Sequence, residues 1–122
     1  MVVGVVVIYP VRPFPFVHTT QKSKWSDRAK KYIAWKISMQ MLGVKVPDQG
    51  ARIQFVFEMP KSWSKKKKIE MAGAPHKQRP DLSNLLKALE DAARYGGDDK
   101  TIWHYGEISK IWGTKDGIRV VS

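Results

Sequence analysis

Residues 79–99 run Arg79-Pro80-Asp81-Leu82-Ser83-Asn84-Leu85-Leu86-Lys87-Ala88-Leu89-Glu90-Asp91-Ala92-Ala93-Arg94-Tyr95-Gly96-Gly97-Asp98-Asp99. At about 100° per residue, Leu82, Leu85, Leu86, Leu89, Ala92 and Ala93 share one face of a helix, while Ser83, Asn84, Lys87, Glu90, Asp91 and Arg94 take the other. The spacing predicts an amphipathic helix over 81–95, stopped by Gly96 and Gly97. Such a helix must lay its apolar face on a partner, and Arg52 to Met59 offers one. There Ile53, Phe55, Phe57 and Met59 alternate with Arg52, Gln54, Val56 and Glu58, the pattern of a strand with one buried face. A one-faced helix beside a one-faced strand predicts a layered α+β domain.

The flanking sequence fills in the rest. Val2 to Tyr9 is β-branched and apolar and reads as a buried strand. Pro10, Pro13 and Pro15 then forbid regular structure, giving an extended loop over 10–24 that carries Arg12, His18, Lys22 and Lys24. Ser26 and Asp27 are helix-start residues. Ala29, Ile33, Ile37 and Met41 follow at every fourth position, with Tyr32, Trp35, Met39 and Leu42 beside them, so a helix of about four turns is expected to end near Gly43. Lys61 to Arg79 reads as a long basic loop. Thr101 to Trp112 reads as a strand bent at Gly106, and Ile118 to Val121 as a short closing strand. The expected order is β-α-β-α-β-β: a small mixed sheet packed with two main helices, in a single domain over 1–122.

The chain has 122 residues, 43% apolar and 27% charged, enough for one core and too apolar for a disordered segment. It has no cysteine, which excludes disulfides and thiolate metal sites and fits a reducing interior. No apolar run approaches the roughly 20 residues a membrane span needs, and the basic start and long apolar stretch of a secretory leader are both missing. A cytoplasmic, nucleoid-associated protein is therefore expected. The net charge of +11 points to a polyanionic partner, nucleic acid first and an anionic membrane second. Its distribution is uneven. Residues 61–80 hold 7 Lys/Arg against 1 Asp/Glu, whereas five acids fall between Asp81 and Asp99. Acids clustered within a polyanion-binding surface call for a bound cation.

The segment Arg79-Pro80-Asp81-Leu82-Ser83-Asn84 with Lys87, Asp91-Ala92 and Asp98-Asp99 resembles the RusA family of Holliday junction resolvases. The family pattern is a basic residue followed by P-D-x-D-N, a Lys three residues on, an Asp-Ala pair and a later Asp-Asp pair. Met59 to Lys67 and Ile108 to Gly113 resemble segments of its phage-type members, so the likeness covers nearly the whole chain. It implies an endodeoxyribonuclease that works as a homodimer on four-way junctions with Mg²⁺ or Mn²⁺ and no small-molecule cofactor. It also carries the family's catalytic aspartates onto Asp81 and Asp99 and its catalytic lysine onto Lys87. The second family aspartate falls on Ser83, a departure from the pattern.

These residue types suit phosphodiester hydrolysis. Divalent metals stabilise an anionic transition state and activate water, carboxylates hold them, and a lysine supports charge on the phosphate. Ser83 brings a hydroxyl where the family has a charge. Glu90, seven residues on and about 20° round the helix, is the expected replacement, with Asp91 as the other. Lys65, Lys66, Lys67, Lys68, Lys77 and Arg79 are expected to grip DNA backbone, and Trp63 either to stack on an exposed base or to pack beneath the loop. Each residue has an ordinary alternative. Asp81 alone would be a helix cap, Lys87 would pair with Asp91 at i+4, and Asp98-Asp99 would be an exposed turn. His18, His76 and His104 show no ligand spacing and read as incidental or DNA-facing. Trp25, Trp35, Trp103 and Trp112 are expected in the core or a dimer interface. Three rival functions stay open: a non-catalytic binder of branched DNA, favoured by Ser83; a nuclease for flaps, forks or single strands; and a basic protein that packs nucleic acid.

Overall fold

The structure, a computed structural model, describes residues 4–18, 26–93 and 101–122. Seven elements follow in order: β1 (Val6–Tyr9), α1 (Asp27–Met41), β2 (Ala51–Glu58), α2 (Lys65–Met71), α3 (Leu82–Ala93), β3 (Tyr105–Gly113) and β4 (Gly117–Val121). The α+β class and the mixed sheet stand as expected. The strands lie in the order β1-β4-β2-β3. β4 is antiparallel to both β1 and β2, and β2 is parallel to β3, so the chain crosses over between those two through α2 and α3.

Register sets the core. Phe55 lies opposite Lys110 and Ile118, Phe57 opposite Trp112, and Ile53 opposite Val120. On this face Ile53, Phe55, Phe57, Met59, Trp112, Ile118 and Val120 form one buried cluster with Leu85, Leu89 and Ala92 of α3 and Met39 of α1. The alternation of β2 and the apolar face of α3 fall as the sequence predicts.

Four expectations change. The valine run is not a buried strand: β1 is an edge, and Val6, Val7 and Ile8 are exposed while Tyr9 alone turns inward. The every-fourth stripe of α1 holds only at Ala29, which is buried; Ile33, Ile37 and Met41 are exposed. Tyr32 takes the buried position because its hydroxyl donates to Asp91 on α3 at 2.7 Å and its ring packs against Phe14 and Phe16 of the proline-rich loop. The basic loop contains a helix. Ser64 caps α2 by accepting from the Lys67 N–H, and lysine is a good helix former. Finally, β3 starts at Tyr105 rather than Thr101. The proline-rich segment is irregular as expected, yet it is tied down: Trp35 donates its indole N–H to the Arg12 carbonyl, and the Phe16 N–H donates to the Asn84 carbonyl.

Candidate active site

Asp81 opens α3. Its carbonyl accepts the first helical bond, from the Leu85 N–H. Its carboxylate is exposed and makes no hydrogen bond or ion pair among the described residues, so it is not a capping group. It lines a cleft of about 440 Å³ together with Pro15, Arg28, Arg79, Pro80 and Asn84. A carboxylate with no partner, beside two arginines, is an open oxygen donor in a cationic surface. Ser83 and Lys87 follow on the exposed side of α3. They are four residues apart, hence neighbours on one helix face. Lys87 does not pair with Asp91; its ammonium lies 5.1 Å from the centre of the Phe16 ring, which the proline-rich loop brings onto the helix.

The two acids expected to compensate for Ser83 are engaged elsewhere. Asp91 turns toward α1, where it accepts from Tyr32 and from Lys36 at 3.1 Å. That contact helps to hold the Tyr32 hydroxyl protonated: burial raises its pKa most, and the Asp91 carboxylate raises it further. Glu90 accepts from the Tyr105 hydroxyl at 2.6 Å. It also lies roughly 12 Å along the helix from Leu82, too far to share one ion with Asp81 at metal–oxygen distances of about 2–2.6 Å. Glu90 and Asp91 thus tie α3 to β3 and α1. Among the described residues, no three acids or histidines cluster closely enough to hold a metal. Asp98 and Asp99 lie outside the described residues, as do Trp25, Lys22 and Lys24. The donors present at the helix start, a free carboxylate and a hydroxyl, are oxygen ligands of the kind Mg²⁺ takes.

The lysine run lies on a helix rather than in the expected loop. The four lysines of α2 are spread around a helix with no buried residue, so one phosphate track cannot meet all of them. Lys65 and Lys66 are exposed, Lys67 lies 4.3 Å from the Trp63 ring centre, and Lys68 sits in a crease with Met59 and Ala72. Trp63 packs on Trp112 with ring centres 4.9 Å apart, the packed alternative rather than the stacking one. Lys77 and Arg79 are exposed. Trp112 is core and Trp35 half-buried, whereas Trp103 is exposed.

Two further residues stand out that spacing does not assign to the site. His76 is buried, stacked on Phe57 and tilted against Trp112 with ring centres 4.3 Å apart in each pair, and its Nδ1 has no partner among the described residues. Burial, helped by the charges of Lys110 and Arg12, holds its pKa below the usual imidazole range. The unfolded chain therefore takes up this proton first, near pH ~6.5, so stability is complete above that value and falls as the pH drops through it. The melting temperature is expected to fall between pH 7 and 5.5, and to fall less in His76→Leu; equal slopes in the two proteins would refute this. The second residue is Lys110, which reaches across to the turn before Asp81.

No curated protein and no solved structure matches the chain. The family model described as endodeoxyribonuclease RusA matches residues 14–121, nearly its whole length. Asp81, Ser83 and Lys87 stand within that span, and the chain belongs to the RusA endodeoxyribonuclease family.

Proposed function

We propose that this protein is a metal-dependent endonuclease that cuts branched DNA, the four-way junction above all, by paired nicks. The observation that carries the reading is the exposed Asp81 carboxylate at the start of α3, without a partner among the described residues, in a cleft lined by Arg28 and Arg79. A structural acid in so basic a chain would pair with its neighbours. Asp81 does not, which suits a ligand for a hard cation.

Asp81 and Asp99 would hold Mg²⁺ or Mn²⁺, with Ser83 as a neutral oxygen donor. The ion would supply charge neutralisation at the phosphate and a lowered pKa for water. Arg28 and Arg79 gather the phosphate backbone, and the N-terminal dipole of α3 favours the same anion. Lys87 supports charge on the reacting phosphate from the face it shares with Ser83. A junction has two equivalent strands to cut, so a C2 homodimer supplies two equivalent sites. The unpaired edge of β1 and the exposed Ile33, Ile37 and Met41 of α1 are apolar surfaces available for such an interface.

An end-labelled four-way junction incubated with Mg²⁺ or with chelator tests the reading. Cleavage that needs the metal and spares a linear duplex is expected. Ser83→Asp should then lower the Mg²⁺ concentration needed for half-maximal rate. Ser83 also favours a second reading, a junction binder that has lost its chemistry. Binding without cutting in the wild type, with cutting created by Ser83→Asp, would establish it.

The α2 geometry gives a separate prediction. Each phosphate contact contributes about 0.9 to the slope of log affinity against log salt. Replacing exposed Lys65 and Lys66 by glutamine should lower that slope by about 2. Replacing Lys67 and Lys68 should lower it less. Gel-shift titrations across a salt series measure both, and equal losses would show that the grip is not set by the helix.

A further inference from the structure

Lys110 stands on the helix-facing side of β3, opposite Phe55, in a row otherwise filled by Ile108 and Trp112. A cation in an apolar row needs a reason. Among the described residues no carboxylate pairs with it. Its ammonium instead donates to two main-chain carbonyls, Pro80 at 2.7 Å and Gln78. Its own carbonyl accepts from the His76 N–H at 3.0 Å. One residue thus grips the bend 76–80 at three points, and the last carbonyl held belongs to the residue immediately before Asp81. Downstream, the Asp81 carbonyl is held by the first bond of α3.

We infer that Lys110 is a positioning residue for the cleavage reaction: its ammonium fixes the main chain from which the Asp81 carboxylate projects. The inference rests on the proposed nuclease reading for its catalytic consequence, but the clamp itself can be measured without cleavage. Two charge-assisted bonds to neutral carbonyls are strong enough to hold one conformation, and the ammonium donates both from one atom. Methionine keeps the length and apolar stem and loses both bonds. Arginine keeps a cation with several donors.

The test compares wild type, Lys110→Met and Lys110→Arg by amide hydrogen exchange at His76 and Leu85, whose N–H groups donate to the carbonyls of Lys110 and Asp81, by junction affinity in chelator, and by cleavage rate at saturating DNA against Mg²⁺. In Lys110→Met, exchange at these amides should quicken about tenfold. Affinity should stay within about threefold, since no phosphate contact is removed. The maximal rate should fall by at least about tenfold, or the Mg²⁺ requirement rise by as much. Lys110→Arg should recover most of each change. Unchanged exchange in Lys110→Met overturns the clamp whatever the cleavage result. Faster exchange with a wild-type rate and Mg²⁺ requirement overturns the positioning role and leaves a structural one. If the wild-type protein cuts nothing, the nuclease reading fails on that arm, and the exchange arm still decides the clamp.

Discussion

Asp81→Asn is expected to abolish junction cleavage, by about 10³-fold or more, while leaving the protein folded and bound to DNA. The substitution keeps the shape of the side chain and removes its charge, the property a hard cation needs. Nothing in the described protein depends on that charge, because the carboxylate accepts no hydrogen bond and pairs with no cation. An exposed substitution of this kind shifts stability by about 0.5 kcal/mol or less. Junction affinity should hold or tighten, since one negative charge leaves a surface lined by Arg28 and Arg79. Cleavage kinetics, gel shift and thermal melting on the one variant separate these effects. A melting temperature lowered by many degrees would show that Asp81 is structural, contrary to its exposed and unpaired position.

The largest effect on stability is expected from Phe57→Ala. Phe57 is 1% exposed and lies in the central strand β2, opposite Trp112. Its ring carries His76 stacked at 4.3 Å on one contact and the Arg12 guanidinium at 5.4 Å on another. Burying an aromatic and then removing it costs about 3–5 kcal/mol, against a total of roughly 5–15 kcal/mol for a typical domain. For a chain of this size the melting temperature should fall by roughly 10–20 °C. Urea unfolding of the variant measures the same loss at fixed temperature. The exposed Ile37→Ala is the matched comparison and should cost far less in the monomer, so similar losses would contradict the assigned core.

The parts of the fold that a reader of the sequence can recover are those set by local pattern. The alternation of Ile53, Phe55, Phe57 and Met59 specifies a face without reference to anything distant. The spacing of Leu85, Leu89 and Ala92 does the same for α3. The misreadings arise where a distant segment decides. Ile33, Ile37 and Met41 make as good a stripe as any, yet α1 turns inward the side that carries Tyr32, because Asp91, Phe14 and Phe16 meet that ring. The valine run suits a buried strand or an apolar edge equally, and only the sheet order distinguishes them. The helix at Lys65–Met71 was legible in principle, since Ser64 is a sound cap, but four adjacent lysines resemble a solvated loop.

The candidate site divides in the same way. Asp81 and Lys87 are marked by the resemblance of residues 79–87 to the family pattern. The helical wheel puts Glu90 near Ser83 in angle, but Tyr105 holds its carboxylate away toward β3. Lys110 and His76 lie about 30 residues from the segments they serve, or contact rings from other elements, so no linear motif marks them.

The most direct measurement of the central claim maps nick positions on a four-way junction labelled in turn on each strand, with Mg²⁺ and moderate salt, beside a linear duplex of the same sequence. Nicks at symmetry-related positions in two opposing strands, absent from the duplex and absent with Asp81→Asn, are predicted. A junction bound but left whole in both Mg²⁺ and Mn²⁺ would contradict the account and leave a protein that recognises branched DNA without cutting it.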